Sequence, residues 1–213
     1  GIKKITGKGV NFEKIEMCNQ DEMRKLFLDY SGIDAVVHFA ALKAVGESVA
    51  DSGKYYRNNL VSLMNLLDCM IEFKVKNIVF SSSCTVYGQP EIIPVKEFAP
   101  IKTPESPYGK TKQICESIIK DYIKSYGNLN CIILRYFNPI GAHPSALIGE
   151  QPRGIPNNLI PYLTQTAIGL RDCLKVFGND YDTPDGSCIR DYINVVDLAE
   201  SHVKSITRLL DNS

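Results

Sequence analysis

Tyr108 and Lys112 are the residues whose types and spacing first suggest chemistry, in the stretch Ser106-Pro-Tyr-Gly-Lys-Thr-Lys112. Pro107 suits the first turn of a helix, where its missing N–H costs nothing. Ser106, just before it, is the expected N-cap. Ile114, Ile118, Ile119 and Tyr122 follow at helical spacing. Tyr108 and Lys112 are then i and i+4 neighbours on one helix face. A free tyrosine titrates near pH ~10, and a nearby ammonium favours its phenolate. Acting as a base near pH 7 requires a shift of about 3 units, or about 4 kcal/mol. One lysine in a wet site seldom supplies that; a lysine and a second positive charge in a dry pocket could. A bare Tyr-x-x-x-Lys occurs by chance in many proteins, and taken alone it is more often a snorkelled pair on an amphipathic surface helix.

The elements that would position this pair alternate between strand and helix. Residues 34–41, 77–81 and 131–137 are apolar runs that read as strands buried on both faces of a parallel sheet. A helix from Asp21, its expected cap, to about Tyr30 carries Met23, Leu26 and Phe27 on one face. Residues 42–53 read as a loop. A helix of about 18 residues follows, with Tyr56, Leu60, Leu63, Leu67 and Met70 as its apolar stripe. The Tyr108 helix runs to about Gly127. This alternation predicts an α/β fold with a doubly wound parallel sheet. In such sheets ligands bind beyond the carboxyl ends of the strands, here residues 40–43, 81–85 and 136–138. Beyond 138 the pattern changes: a Pro/Gly-rich loop over 139–157, a helix over 157–169, short strands over 174–177 and 189–195, and a last amphipathic helix from Asp197.

At 213 residues and 44% hydrophobic, the chain can form one good core, or a domain plus a small lobe. Formal net charge is zero, which argues against a nucleic-acid partner or an anionic membrane surface. No apolar run is long enough to span a bilayer. The seven cysteines are scattered with no Cys-x-x-Cys pair, so neither a metal site nor a disulfide framework is expected. They read as the thiols of a cytoplasmic protein. His38 lies inside an apolar strand and reads as a core histidine; His143 and His202 have no ligand spacing.

Several motifs then line up in order. They are His38-Phe-Ala-Ala-Leu-Lys-Ala-Val-Gly-Glu-Ser48, Ser81-Ser-Ser-Cys-Thr-Val-Tyr-Gly88, the Tyr108–Lys112 stretch and Arg135-Tyr-Phe-Asn-Pro-Ile-Gly-Ala-His-Pro144. Gly154-Ile-Pro-Asn-Asn-Leu159, Phe177-Gly-Asn-Asp-Tyr-Asp-Thr-Pro-Asp-Gly186 and Arg190-Asp-Tyr-Ile follow. In this order and spacing the chain closely resembles the UDP-glucose 4-epimerases of the extended short-chain dehydrogenase/reductase family. The resemblance implies a Rossmann-like NAD-binding domain over 1–138 that lacks its first glycine-rich strand-turn-helix, and part of a substrate-binding region over 139–213 with some elements returning to the NAD domain. It also implies reversible inversion at carbon 4 of UDP-glucose and UDP-galactose through a 4-keto intermediate, using NAD. Tyr108 would be the base, Lys112 would depress its pKa and bind the nicotinamide ribose, and Ser83 would hydrogen-bond the 4-hydroxyl. Phe39 and Lys43 match cofactor positions at a strand end, and Glu16 and Met17 match positions near the adenine. Tyr136, Phe137 and Asn138 match a stretch touching nicotinamide and substrate, and Cys84 and Thr85 flank Ser83 on the sugar side. Asn157, Asn158 and Leu159, with Lys175 and Arg190, match positions holding the UDP part. The family's homodimer implies pairing through helices over 54–73 and 107–126.

The chain departs from the family pattern in places. No Gly-x-x-Gly-x-x-Gly appears, and Gly1, Gly7 and Gly9 have the wrong spacing for a pyrophosphate turn; the resemblance implies an internal fragment that alone would be inactive. Glu16 stands where the family has aspartate, Met17 where it has isoleucine. Ala41, Cys84 and Asn194 replace Gly, Ala and His. Two other readings stay open. Dehydratases of this fold carry an acid pair where Ser83 and Cys84 stand here. A non-catalytic remnant with a binding role would have had no reason to keep Ser83, Tyr108, Lys112, Asn138 and Arg190. Asn157-Asn158 as a helix cap and Arg190 as an ion pair with Asp191 are the plain structural alternatives.

Overall fold

The computed structural model describes residues 1–152 and 154–211. The chain divides into two units: residues 11–136 with 200–213, and residues 1–10 with 137–199.

The first unit is built on three parallel strands, β1 (Ala35–His38), β2 (Asn77–Ser81) and β3 (Asn130–Leu134), in the order β1-β2-β3. Ala35 pairs with Asn77, and Asn77 in turn with Asn130. Central β2 is buried throughout, as its unbroken apolar run demands. Strand β1 is shorter than the run 34–41 and mostly half-buried; among the described residues only β2 lies beside it.

Helices connect the strands. For α2 (Gln20–Asp29) the cap is Asn19, not Asp21: Asn19 Oδ1 accepts from the N–H groups of Asp21 and Glu22. Residues 42–53 are not all loop, since 45–50 form the short helix α3 (Val45–Ala50). Its Ser48 donates to the Val45 carbonyl at 2.6 Å. The next helix, α4 (Ser52–Glu72), starts at Asp51, whose side chain accepts from Lys54 N. Its stripe is turned slightly from the expected one: Tyr55 is fully buried and Tyr56 half-buried. After β2 comes a short 3₁₀ turn, Cys84–Tyr87. Helix α5 (Pro107–Tyr126) has both expected ends, with Ser106 as cap and left-handed Gly127 (φ 67°) as stop. Met23 and Phe27 from α2, Leu63, Leu67 and Met70 from α4, Ile78 and Phe80 from β2, and Ile119 from α5 form one core. Leu63, Leu67 and Ile119 are wholly buried, each worth about 2 kcal/mol in apolar surface removed from water.

The second unit contains α1 (Ile2–Thr6), a two-stranded parallel sheet of β4 (Asn138–Ile140) and β5 (Tyr192–Asn194), and α6 (Leu159–Ala167). The expected strand over 174–177 is absent, and Phe177 is 83% exposed; apolar character without a pairing partner does not make a strand. Helix α7 (Val195–Asp211) begins two residues before Asp197 and runs out of this unit into the first. Among the described residues no helix is long and apolar enough to cross a membrane. The architecture is α/β with parallel pairing throughout.

Candidate functional site

Ser106 Oγ accepts from Gly109 N at 3.1 Å, which places Tyr108 in the first turn of α5. Two further bonds fix that turn. Tyr108 N donates to Ser48 Oγ at 3.2 Å, and Thr111 Oγ1 donates to the Tyr108 carbonyl at 2.7 Å. Asn59 of α4, also buried, reaches Thr111 Oγ1 at 3.0 Å and pairs with both backbone groups of Leu42, at 2.8 and 3.1 Å. The loop after β1 is thereby tied to the start of α5. Gly109 has a reason to be glycine: a Cβ there would meet Pro104 at 3.0 Å and Thr85 at 3.3 Å. The 3₁₀ turn carrying Ser83 can lie close against α5 only because that side chain is missing.

Ser81, Ser82 and Ser83 are all buried at the carboxyl end of β2. Ser83 caps the 3₁₀ turn: its Oγ accepts from Thr85 N at 3.3 Å and from Thr85 Oγ1 at 3.0 Å. The Ser83 hydroxyl also acts on the Tyr108 phenol, whose pKa it lowers. Lys112 is 4% exposed. Its Nζ donates to the Ser81 carbonyl at 2.7 Å and lies 4.9 Å from the Phe80 ring centre and 6.0 Å from that of Tyr108.

The titration behaviour differs from the expectation that Lys112 holds Tyr108 low. Burial pushes the Tyr108 phenol up to about 12, more than the Ser83 hydrogen bond lowers it. Burial also brings the Lys112 ammonium down to about 8. The physical reason is direction. The i, i+4 spacing makes the two side chains neighbours, but Nζ is spent on the Ser81 carbonyl rather than on the phenol oxygen. His38, stacked on Phe80, is likewise held at about 4 by burial and the Lys112 charge.

Tyr136 completes this corner. Its hydroxyl is hydrogen-bonded to Ser81 Oγ, and its carbonyl accepts from Cys84 N at 3.1 Å. Phe39 and Tyr136 both flank the His202 ring, with ring centres 4.7 and 6.0 Å away. The first unit therefore gathers Ser83, Cys84, Thr85, Tyr108, Lys112 and Tyr136 around the ends of β2 and β3. Lys43 is exposed on the loop after β1. Glu16 and Met17 stand in the turn before α2, where Glu16 Oε1 accepts from Cys18 N at 3.0 Å and the Met17 carbonyl accepts from Asn65 Nδ2 at 3.0 Å.

The remaining candidates belong to the second unit. Phe137 is half-buried and Asn138 exposed at the start of β4; Asn138 Nδ2 donates to the Asp191 carbonyl at 2.9 Å. Because Asn138 pairs with Tyr192, the chain that carries Arg190 runs alongside it. Arg190 is exposed, and its Nη1 donates to the Ile189 carbonyl at 2.8 Å rather than to Asp191. Asn157, Asn158 and Leu159 begin α6. Asn158 is its N-cap, yet its side chain makes no capping bond and reaches Glu150 Oε1 at 2.9 Å instead. The first N–H groups of α6 thus have no side-chain acceptor from the cap. Lys175 is exposed.

The residues fit a nicotinamide dinucleotide on the chemistry of their donors. Lys112 has three N–H donors and uses one on Ser81, which leaves two for ribose hydroxyls in a buried setting. Among the described residues no group of three or more His, Cys, Asp or Glu could hold a metal ion. Reading the sequence passed over Glu116, which is buried with Arg135 and Ser82 as partners. The available signal was Arg135, a cation adjoining an apolar strand, which calls for a buried counter-charge.

The chain is similar to several known proteins. The UDP-glucose 4-epimerase of Dictyostelium discoideum is 50% identical over 208 residues, 98% of this chain and 60% of that protein. The UDP-glucose 4-epimerase of Bacillus subtilis (strain 168) is 50% identical over 212 residues, 100% of this chain and 62% of that protein. Among solved structures, UDP-glucose 4-epimerase from Bifidobacterium longum in complex with NAD+ and UDP superposes with a TM-score of 0.93 at 47% identity, covering 97% of this chain and 61% of that one. The chain thus spans about three fifths of the length of these relatives. Residues 2–212 match the NAD dependent epimerase/dehydratase family, and the chain belongs to that family.

Proposed function

We propose that the full-length protein is a UDP-glucose 4-epimerase, an isomerase that interconverts UDP-glucose and UDP-galactose with bound NAD. The observation that carries the reading is the corner at the end of β2 in which buried Ser83 and buried Lys112 adjoin Tyr108, with Lys112 Nζ on the Ser81 carbonyl and 6.0 Å from the Tyr108 ring centre. Tyr108 takes the proton of the 4-hydroxyl, and Ser83 supplies a hydrogen bond to the same oxygen. Bound NAD supplies the acceptor for the carbon-4 hydride and a positive charge beside the phenol. Bringing Tyr108 from about 12 to neutral pH takes about 7 kcal/mol at 1.36 kcal/mol per unit. Lys112 contributes by keeping its ammonium in a dry, ring-lined site where charge acts strongly. The 4-keto sugar would then turn over, the same hydride would return from the reduced cofactor to the opposite face of carbon 4, and Tyr108 returns the proton to the oxygen, which completes the inverted alcohol. No Asp or Glu stands between Ser81 and Gly88, so this strand end offers no carboxyl acid for the water loss of a dehydratase.

Within this reading, residues 1–138 form the cofactor-binding domain, whose strand ends also meet the sugar, and 139–213 belong to the substrate-binding region, with some elements returning to the first domain. Phe39, Lys43, Lys112, Tyr136, Glu16 and Met17 hold NAD. Cys84, Thr85, Phe137 and Asn138 line the sugar. The uncapped start of α6 at Asn157, Asn158 and Leu159, with Lys175 and Arg190, holds the UDP part, as suits a helix N-terminus and a guanidinium facing phosphate. The reading extends to a homodimer formed on α4 and α5, and to a cytoplasmic enzyme whose seven cysteines form no disulfide among the described residues.

The test is to supply UDP-galactose to the full-length holoprotein and follow the anomeric proton signals by NMR. UDP-glucose should accumulate with no net reduction of NAD. A 4-keto-6-deoxy product, or no turnover, would contradict the reading.

A further inference from the structure

Glu116 is 1% exposed, one turn beyond Lys112 and two beyond Tyr108 on α5. The chemistry above gives it no task. Arg135 grips its carboxylate with two bonds, Nε to Oε1 at 2.9 Å and Nη2 to Oε2 at 2.6 Å. Ser82 Oγ donates to the same Oε1 at 2.6 Å. Arg135 Nη1 donates to Tyr87 OH at 3.1 Å and to the Glu97 carbonyl at 3.3 Å, with the guanidinium 5.0 Å over the Tyr87 ring.

Stability alone is a weak reason for such a pair. Desolvating two ions costs about as much as their attraction returns, and apolar replacements of similar volume are often neutral or stabilising. What a two-bond fork adds is fixed direction. Each of the three segments meeting here carries a member of the proposed machinery close by. Ser82 precedes Ser83, Arg135 precedes Tyr136, and Glu116 follows Lys112 by one turn. Ser82 is held at both ends, its hydroxyl on Glu116 and its N–H on the Leu134 carbonyl at 2.9 Å. Tyr87 closes the turn that begins at Cys84.

We propose that the Glu116–Arg135 pair is a positioning device that sets Ser83 and Tyr136 against Tyr108 and Lys112, and that the fold does not require it. This rests on the epimerase reading. Glu116 also bears on Lys112 by charge: an anion one turn away favours the ammonium.

The test uses full-length holoprotein with Glu116→Gln, Glu116→Asp and the double apolar variant Glu116→Met/Arg135→Met. Wild-type turnover of UDP-galactose checks the underlying reading first; without it, both fall. With it, the double variant should fold, melt as the wild type does and retain NAD. Its kcat should fall about 100-fold, the scale of a misplaced reacting group, with KM within about 3-fold. Glu116→Gln should move the alkaline limb of the kcat profile to lower pH, and Glu116→Asp, which keeps the charge, should not. A double variant with kcat within about 3-fold of wild type overturns the proposal alone. So does loss of folded protein in all three variants, because the pair would then be a structural staple.

Discussion

The Ser83–Tyr108–Lys112 corner and the Asn157–Arg190 set are built in opposite ways. In the first, Ser83 and Lys112 are buried, and the Ser83 hydroxyl and the Lys112 ammonium each have a partner at hydrogen-bond distance. In the second, Asn157, Asn158, Leu159, Lys175 and Arg190 are all exposed, and the bonds that Asn158 and Arg190 make are to near neighbours in sequence. Bond making at one carbon needs atoms preset to a fraction of an ångström. Holding a diphosphate needs charge and donors that a flexible arm can bring. Changes in the corner should therefore strike kcat, and changes in the exposed set should strike KM.

The largest effect should come from Tyr108→Phe in the full-length protein. Removing the base should lower kcat by about 1,000-fold or more while NAD stays bound, as read by a coupled assay of UDP-glucose formation. Ser83→Ala comes next. It removes one donor aimed at the reacting oxygen, and kcat should drop about 100-fold with KM within about 3-fold. An effect confined to KM would erase the contrast between the regions.

The burial of the corner should also show in its pH dependence. His38 sits at about 4 in the folded protein against an ordinary 6.5. The native state keeps it neutral while the unfolded chain protonates, so stability is complete above pH 6.5 and is lost as pH falls from 6.5 toward 4. At 1.36 kcal/mol per unit the loss approaches about 3 kcal/mol. Melting His38→Phe at several pH values should show a flatter acid limb than wild type. The smallest effect should come from the exposed set: Arg190→Ala should raise KM for UDP-galactose about 10-fold and leave kcat unchanged.

Regular elements driven by their own sequence were legible before the structure. Strand β2 and helix α5, with its Ser106 cap and Gly127 stop, fall where apolar runs and end signals put them. Short elements were not. Helix α3 depends on Ser48 bonding both Val45 and Tyr108, sixty residues away, which no local pattern reveals. The strand expected over 174–177 failed for the converse reason, having apolar residues without a neighbour to pair with. In the site, residue types and spacing announced Tyr108 and Lys112 as neighbours. They did not announce that Lys112 Nζ turns to the Ser81 carbonyl, which leaves burial to dominate the Tyr108 phenol. Glu116 escaped notice because helical spacing put it beside Lys112 without showing that Arg135 and Ser82 close on it.

The central claim is that this corner removes and returns one hydrogen at carbon 4 of a nucleotide sugar without releasing it. UDP-galactose carrying deuterium at carbon 4 tests it most directly, with the full-length holoprotein and mass-spectrometric and NMR analysis of the product. The account predicts UDP-glucose with the deuterium still on carbon 4. Loss of the label to solvent would contradict it.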